Sequence, residues 1–150
     1  MKATIVSNPG EEPELTWGSV PEVEYGPAEV LVQIRATAVN RADLAQARGA
    51  YPPPPGVTDI LGLEMAGEIL SVGESVRGWS VGERVCALLP GGGYAERTAV
   101  HQDMLLRLPD HWSFAEGAAV PEVWYTAFVN LLLEGELSPG ETAQIGRAHV

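Results

Sequence analysis

The sequence predicts a mainly β domain with short helices, closed into a small barrel and followed by the truncated start of an α/β unit. Three observations carry this. Residues 29–39 (EVLVQIRATAV) alternate, with Val30, Val32, Ile34, Ala36 and Ala38 on one face and Leu31, Gln33, Arg35, Thr37 and Val39 on the other. That is the pattern of a half-buried antiparallel strand. The 17 glycines and 12 prolines are dispersed rather than periodic, so they read as turns between many short strands. After Pro109 the pattern turns helical.

Each element follows from local chemistry. Residues 2–6 and 14–20 read as strands, the second bounded by Pro13 and Pro21. Residues 41–48 form a short helix, with Asn40 placed to cap it and Gly49 where a C′ glycine belongs. The run Tyr51-Pro-Pro-Pro-Pro-Gly56 is an extended, stiff loop, because proline has a fixed φ and no amide donor. Residues 61–73 read as a strand whose glycines mark bends at a barrel corner. Residues 83–89 and 94–100 are strands around the turn at 90–93, and residues 105–108 are a short strand. Ser113-Phe-Ala-Glu116 is a capping box that opens a helix. Pro121 starts a second helix that runs to about Leu133, with Gly135 just beyond. Residues 137–145 read as a turn and a new strand, as at the start of a parallel α/β domain. Residues 1–120 are thus expected to form the barrel, and residues 121–150 a crossover helix and the first strand of a second domain. Residues 145–150 have no periodicity that closes a fold and reverse-translate readily to a common short-read sequencing adapter, so they are expected to be non-native.

The bulk properties exclude several function classes. The chain has 150 residues, enough for one good core or one domain plus part of another. A net charge of -11 gives it no electrostatic reason to seek nucleic acid or an anionic membrane, and solubility is the plain reading of that acidity. The single cysteine, Cys86, excludes an internal disulfide and a multi-cysteine zinc site, and fits a reducing cytoplasm. The opening MKATIV lacks the features of a signal peptide, and no apolar stretch approaches the ~18 residues of a membrane helix.

Five stretches, in order, resemble the medium-chain dehydrogenase/reductase superfamily. They are Ala38-Val-Asn-Arg-Ala-Asp43, Arg48-Gly-Ala-Tyr-Pro-Pro-Pro-Pro-Gly56, Leu61-Gly-Leu-Glu-Met-Ala-Gly67 with Val72-Gly73, Gly78-Trp-Ser-Val-Gly-Glu-Arg-Val85 and Gly91-Gly-Gly-Tyr-Ala-Glu96. Together they are similar to the NADPH:quinone oxidoreductases of the zeta-crystallin group, to about Thr142. The resemblance implies a GroES-like β-barrel as catalytic domain, a Rossmann domain that binds NADPH, a quinone substrate in the cleft between them, and a homodimer formed through the Rossmann domain.

Zinc alcohol dehydrogenases of the superfamily carry a Gly-His-Glu motif and an upstream cysteine. Here those histidine and cysteine positions hold Leu63 and Asn40. Glu64 remains, but one carboxylate is not the three-ligand set of a catalytic zinc, so no zinc is expected. Glu64 itself also reads as a packing or hydrogen-bonding residue near the barrel mouth. Without a metal, hydride transfer to a quinone rests on positioning and on donors near the carbonyl oxygens, for which the Tyr51 hydroxyl and the Asn40 amide are the candidates. By resemblance Tyr51 reaches the nicotinamide end of NADPH, Thr126 lies near the nicotinamide, and Asn40 is expected to share in binding the cofactor. Leu63, Trp124 and Tyr125 are candidates to line the substrate cleft. The bland readings are a surface tyrosine on prolines for Tyr51 and interdomain core for the aromatic pair. Arg41 and Asp43 read as capping or pairing residues, Cys86 as inert core, and His101, His111 and His149 as loop or surface residues.

A glycine-rich phosphate loop should follow the strand at 142–145, and none is present. These 150 residues are therefore expected to be inactive alone, with residues 121–135 leaving an apolar face uncovered. Two other functions fit the same residues: an enoyl or alkenal reductase, and a non-catalytic GroES-like binding module.

Overall fold

A computed structural model describes residues 1–10, 12–144 and 146. Strands β1 (Lys2–Ser7) and β2 (Glu14–Ser19) form an antiparallel hairpin. Then follow β3 (Glu29–Thr37), helix α1 (Arg41–Ala47), β4 (Glu64–Val72), β5 (Arg84–Leu88), β6 (Arg97–His101) and β7 (Leu105–Arg107). The last five strands make one antiparallel sheet in the order β6-β3-β4-β5-β7. The hairpin joins this sheet through a bridge between Ala3 and Ala95, giving a mainly β half-barrel. Helices α2 (Phe114–Ala118) and α3 (Pro121–Phe128) follow, and α3 continues as a π-helical turn over Val129–Glu134.

The alternation in β3 does what its pattern requires. Val30 and Val32 are fully buried, and with Met65, Ile69, Val85, Ala87 and Val100 they make the main core. Ile34 packs against that core, while Ala36 packs against a smaller cluster of Ala66, Cys86 and Ala118 beneath α2. Two register shifts bend the β3–β4 ladder. At one of them Gly67 meets the β3 backbone so closely that a side chain would collide with the Gln33 carbonyl. Arg84 fastens α2 to the sheet: its guanidinium bonds the carbonyls of Asp110 and Trp112 and lies 4.6 Å from the centre of the Phe114 ring.

Several boundaries differ from the sequence expectation, each for a physical reason. The strand expected over 61–73 begins at Glu64, because Gly62 holds a φ of 105° that a strand cannot adopt. The strand expected over 94–100 begins at Arg97. Its first residues bond elsewhere, Tyr94 N–H to the Leu61 carbonyl and Glu96 N–H to that of Lys2. The strand expected over 29–39 ends at Thr37, where the chain turns into α1. Residues 142–144 form no strand, since no neighbouring strand lies beside them to complete a ladder. Of the segment expected to be non-native, residues 145 and 147–150 lie outside the described residues, as does His149. The capping box stands as expected, with Ser113 Oγ accepting from Glu116 N–H at 3.2 Å and the Glu116 carboxylate accepting from Ser113 N–H at 2.7 Å. Gly49 ends α1 with φ 76°. As expected, α3 and its extension leave Val123, Trp124, Phe128 and Leu133 exposed. Among the described residues no helix is long and apolar enough to cross a membrane.

Gly62 packs directly on the backbone of Gly93, and a β-carbon there would sit 2.6 Å from Gly93 Cα and from Tyr94 N. Gly62→Ala should therefore destabilise the chain by about 2 kcal/mol or more, through both the collision and the positive φ. Urea unfolding followed by tryptophan fluorescence checks this; an unchanged midpoint would contradict it.

Candidate functional site

Glu64, the first residue of β4, is 1% exposed and carries a carboxylate, so burial demands partners. Both oxygens have them. Oε1 accepts from the Asn40 side-chain amide at 2.8 Å, and Oε2 accepts from the backbone N–H of Glu122 at 2.9 Å. Glu122 is the second residue of α3, after Pro121, whose missing N–H costs nothing at a helix start. Glu64 thus supplies the first turn of α3 with an acceptor and with charge of the favourable sign.

The loop before α1 is held by a second buried carboxylate, through one of its two oxygens. Asp43 is 2% exposed. Its Oδ2 accepts from the backbone N–H of Asn40 at 2.7 Å and from the Tyr94 hydroxyl at 2.7 Å. With its own backbone N–H held, Asn40 sits at the helix N-cap and turns its amide to Glu64. The structural roles expected of Glu64 and Asp43 are what the geometry shows. Arg41 is exposed. Both buried carboxylates act on their neighbours. Burial, then the hydrogen bond and charge of Asp43, then the charge of Glu64 raise the Tyr94 phenol well above its ordinary value. Burial and the same two charges raise Glu122. Burial, with a smaller contribution from Glu64, pushes the Cys86 thiol up to about 11.

Beside this network lies a recess of about 240 Å³. One wall is α1, through Ala42 and Gln46. A second is the proline loop, through Tyr51, Pro53 and Pro54. Leu63, the Leu88–Pro90 turn and Glu122 close it. Two of the expected site residues, Tyr51 and Leu63, therefore meet in one apolar slot, with Tyr51 half exposed. Asn40 stands behind the slot in the hydrogen-bond network. Trp124 and Thr126 are exposed on α3 and do not line the recess, and neither does Tyr125, which is partly buried beside Cys86. Gln46 was not singled out by sequence, since it matched no motif, yet it shares a helix face with Ala42 one turn away. A larger open groove of about 690 Å³ runs between β2 and β3 past Trp17, Val39 and Tyr94, but holds none of Asn40, Tyr51 or Glu64.

The donor set bears on metals and nucleotides. Glu64 spends both oxygens on the chain itself, and among the described residues no three His, Cys, Asp or Glu side chains converge as metal ligands. The phosphates of a dinucleotide sit at an open helix N-terminus. Here a carboxylate of the chain stands at each of three helix N-termini: Asp43 and Glu116 accept from the N-cap amides of Asn40 and Ser113, and Glu64 accepts from the amide of Glu122 in the first turn of α3.

Residues 26–110, more than half the chain, match the family model of the alcohol dehydrogenase GroES-like domain. The chain belongs to this family. It is an oxidoreductase-family domain of the medium-chain dehydrogenase/reductase superfamily. It is 40% identical over 127 residues, 83% of its length, to a phenolphthiocerol synthesis polyketide synthase of Mycobacterium marinum, covering 6% of that protein. Among solved structures, CurK enoyl reductase superposes with a TM-score of 0.83 at 28% identity, over 93% of this chain and 45% of that one. The quinone oxidoreductase from Thermus thermophilus, solved with NADPH, superposes with a TM-score of 0.74 at 35% identity, over 94% of this chain and 43% of that one. The chain thus spans less than half the length of these two solved relatives.

Two outcomes follow from the buried groups. Glu64→Leu leaves the Asn40 amide and the Glu122 N–H without an acceptor, and should cost about 3 kcal/mol in urea unfolding; a loss under about 1 kcal/mol would mean that the network is idle. The raised Cys86 thiol stays protonated in the folded chain while the unfolded chain ionises from its ordinary value of 9.0 upward. The folded state then binds more protons, so stability is complete below pH 9 and falls as pH rises toward about 11. Cys86→Ala should flatten that part of the fall relative to the parent chain; identical profiles would refute the assignment.

Proposed function

We propose that this chain is the acceptor-binding domain of a zinc-free, NADPH-dependent quinone oxidoreductase. The carrying observation is that the only carboxylate at the barrel mouth matching the superfamily's metal motif, Glu64, is fully engaged in building the site. Leu63 and Asn40 flank it where zinc enzymes have histidine and cysteine. A slot lined largely by prolines and leucines suits a flat ring. The Tyr51 hydroxyl at the slot's mouth can donate to an acceptor carbonyl oxygen as negative charge develops there. Asn40, fixed by Glu64 and Asp43, holds the α1 wall in register behind it. A quinone suits such a site because it is already a strong electrophile and needs hydrogen bonding rather than a Lewis acid. The similarity to the Thermus thermophilus quinone oxidoreductase supports the acceptor, and its complex with NADPH supports the reductant.

The dinucleotide phosphates are proposed to be held by a second, nucleotide-binding domain beginning near residue 121. The exposed Val123, Trp124 and Thr126 face is proposed to meet that domain. We propose that these 150 residues alone do not turn over NADPH, that the longer protein acts in the cytoplasm, and that it is a homodimer.

A second reading is favoured by a specific observation. The polyketide synthase similarity and the CurK enoyl reductase superposition point to reduction of an activated carbon–carbon double bond on the same scaffold. Turnover by the longer protein that carries this chain separates the two. With NADPH, a naphthoquinone should be reduced at least about tenfold faster than a 2-enoyl thioester or an alkenal, a difference of about 1.4 kcal/mol in the barrier. Preference for the enoyl substrate would replace the quinone assignment.

A further inference from the structure

We propose that Glu122 is the general acid of the reaction, its carboxyl giving a proton to the acceptor oxygen that is left negative when a hydride arrives. This inference rests on the recess being the acceptor site of a quinone reductase, and it assigns a step for which that reading names no residue.

The need is chemical. Two-electron reduction of a quinone by a reduced nicotinamide adds one hydride to the acceptor and leaves one oxygen as a quinol anion. That anion is a base of phenolate strength, with a pKa of about 10 for its conjugate acid, and it must take up one proton to give the neutral product. Among the described residues that line the recess, the side chains that ionise are Tyr51 and Glu122, and no Lys, Arg or His stands with them. A phenol that gave up its proton would only exchange one phenolate for another. A carboxyl is the stronger acid, so its proton moves downhill to the quinol oxygen.

The placement of Glu122 suits delivery. Pro121 fixes the start of α3, and the Glu122 backbone N–H donates to Glu64 Oε2 at 2.9 Å, so the side chain starts from an anchored point in the recess wall. Its carboxyl makes no hydrogen bond or ion pair among the described residues, and it is half-buried, open both to the recess and to solvent. The charged groups that face it are carboxylates, Glu64 from β4 and Asp43 from α1, and Tyr51 stands on the proline loop. Burial first, then the charge of Glu64, then that of Asp43, raises Glu122 above its ordinary value and favours the protonated, donating form. In the step itself the carboxyl O–H bond breaks as the quinol O–H bond forms. The electron pair of the broken bond stays on the carboxylate, which then recovers a proton from solvent.

The test uses the longer protein that carries this chain, with NADPH and 2,3-dimethyl-1,4-naphthoquinone, in the parent, Glu122→Gln and Tyr51→Phe. Glutamine keeps the shape of a protonated carboxyl and has no proton to give. A general acid works while protonated, so kcat/KM of the parent should be full below the Glu122 pKa and fall as pH rises through it. Glu122→Gln should lower kcat about 100-fold at the low-pH plateau, leave KM within about twofold, and abolish that fall. Tyr51→Phe should slow the reaction and keep the fall. The ¹³C carboxyl signal that Glu122→Gln removes should titrate in the ligand-free parent with the same midpoint. Because this carboxyl holds no partner and faces like charge, Glu122→Gln should unfold at no lower urea concentration than the parent, which separates a lost proton from a lost fold. If the parent reduces the quinone but Glu122→Gln keeps its rate and its pH dependence, Glu122 is not the acid and the quinone reading stands. If the parent reduces no quinone, both readings fail.

Discussion

A buried carboxylate with two fixed hydrogen bonds is the constraint on which the rest depends. Glu64 lies between the N-cap of α1 and the first turn of α3, and its partners are 24 and 58 residues away in sequence. Removing either partner would strand charge in a low-dielectric interior, which is far costlier than losing a surface ion pair. The three elements are therefore set relative to one another by one side chain. The recess walls stand on two of them, α1 and the start of α3, together with the proline loop and the end of β5. The same charge reaches Tyr94, Glu122 and Cys86 and favours their neutral forms.

Much of the fold was legible because it is written in local chemistry. The alternation of β3, the Ser113–Glu116 box, Pro121 at a helix start and Gly49 at a helix end each encode their structure within a few residues. Boundaries failed where long-range bonding competed. Tyr94 and Glu96 look like strand residues but give their amides to Leu61 and Lys2. Residues 142–144 look like a strand, yet a strand is a property of its neighbours. Less of the site could be read. Asn40 and Glu64 were visible as residues but not as partners, since no periodicity links positions so far apart. Tyr51 and Leu63 were found through resemblance and do share a recess, whereas Gln46 became visible as part of its wall only once α1 was placed beside the proline loop.

The half-barrel uses carboxylates at its helix N-termini to hold those helices in place, and a small recess lies beside two of them. Relatives of more than twice this length superpose on it over less than half of their chains. Beside Glu64 stand Leu63 and the Asn40 amide, and the carboxylate serves as a structural hub that holds α1 and α3 to the sheet.

The most direct test of Glu64 as a hub rather than a ligand is a zinc titration of the chain at neutral pH, read by calorimetry and by the Asn40 side-chain NMR signals. The expected result is no stoichiometric uptake and no movement of those signals, because the Asn40 amide keeps its hold on Glu64. Tight binding of one zinc ion per chain, with the Asn40 signals displaced as Glu64 turns to the metal, would contradict it.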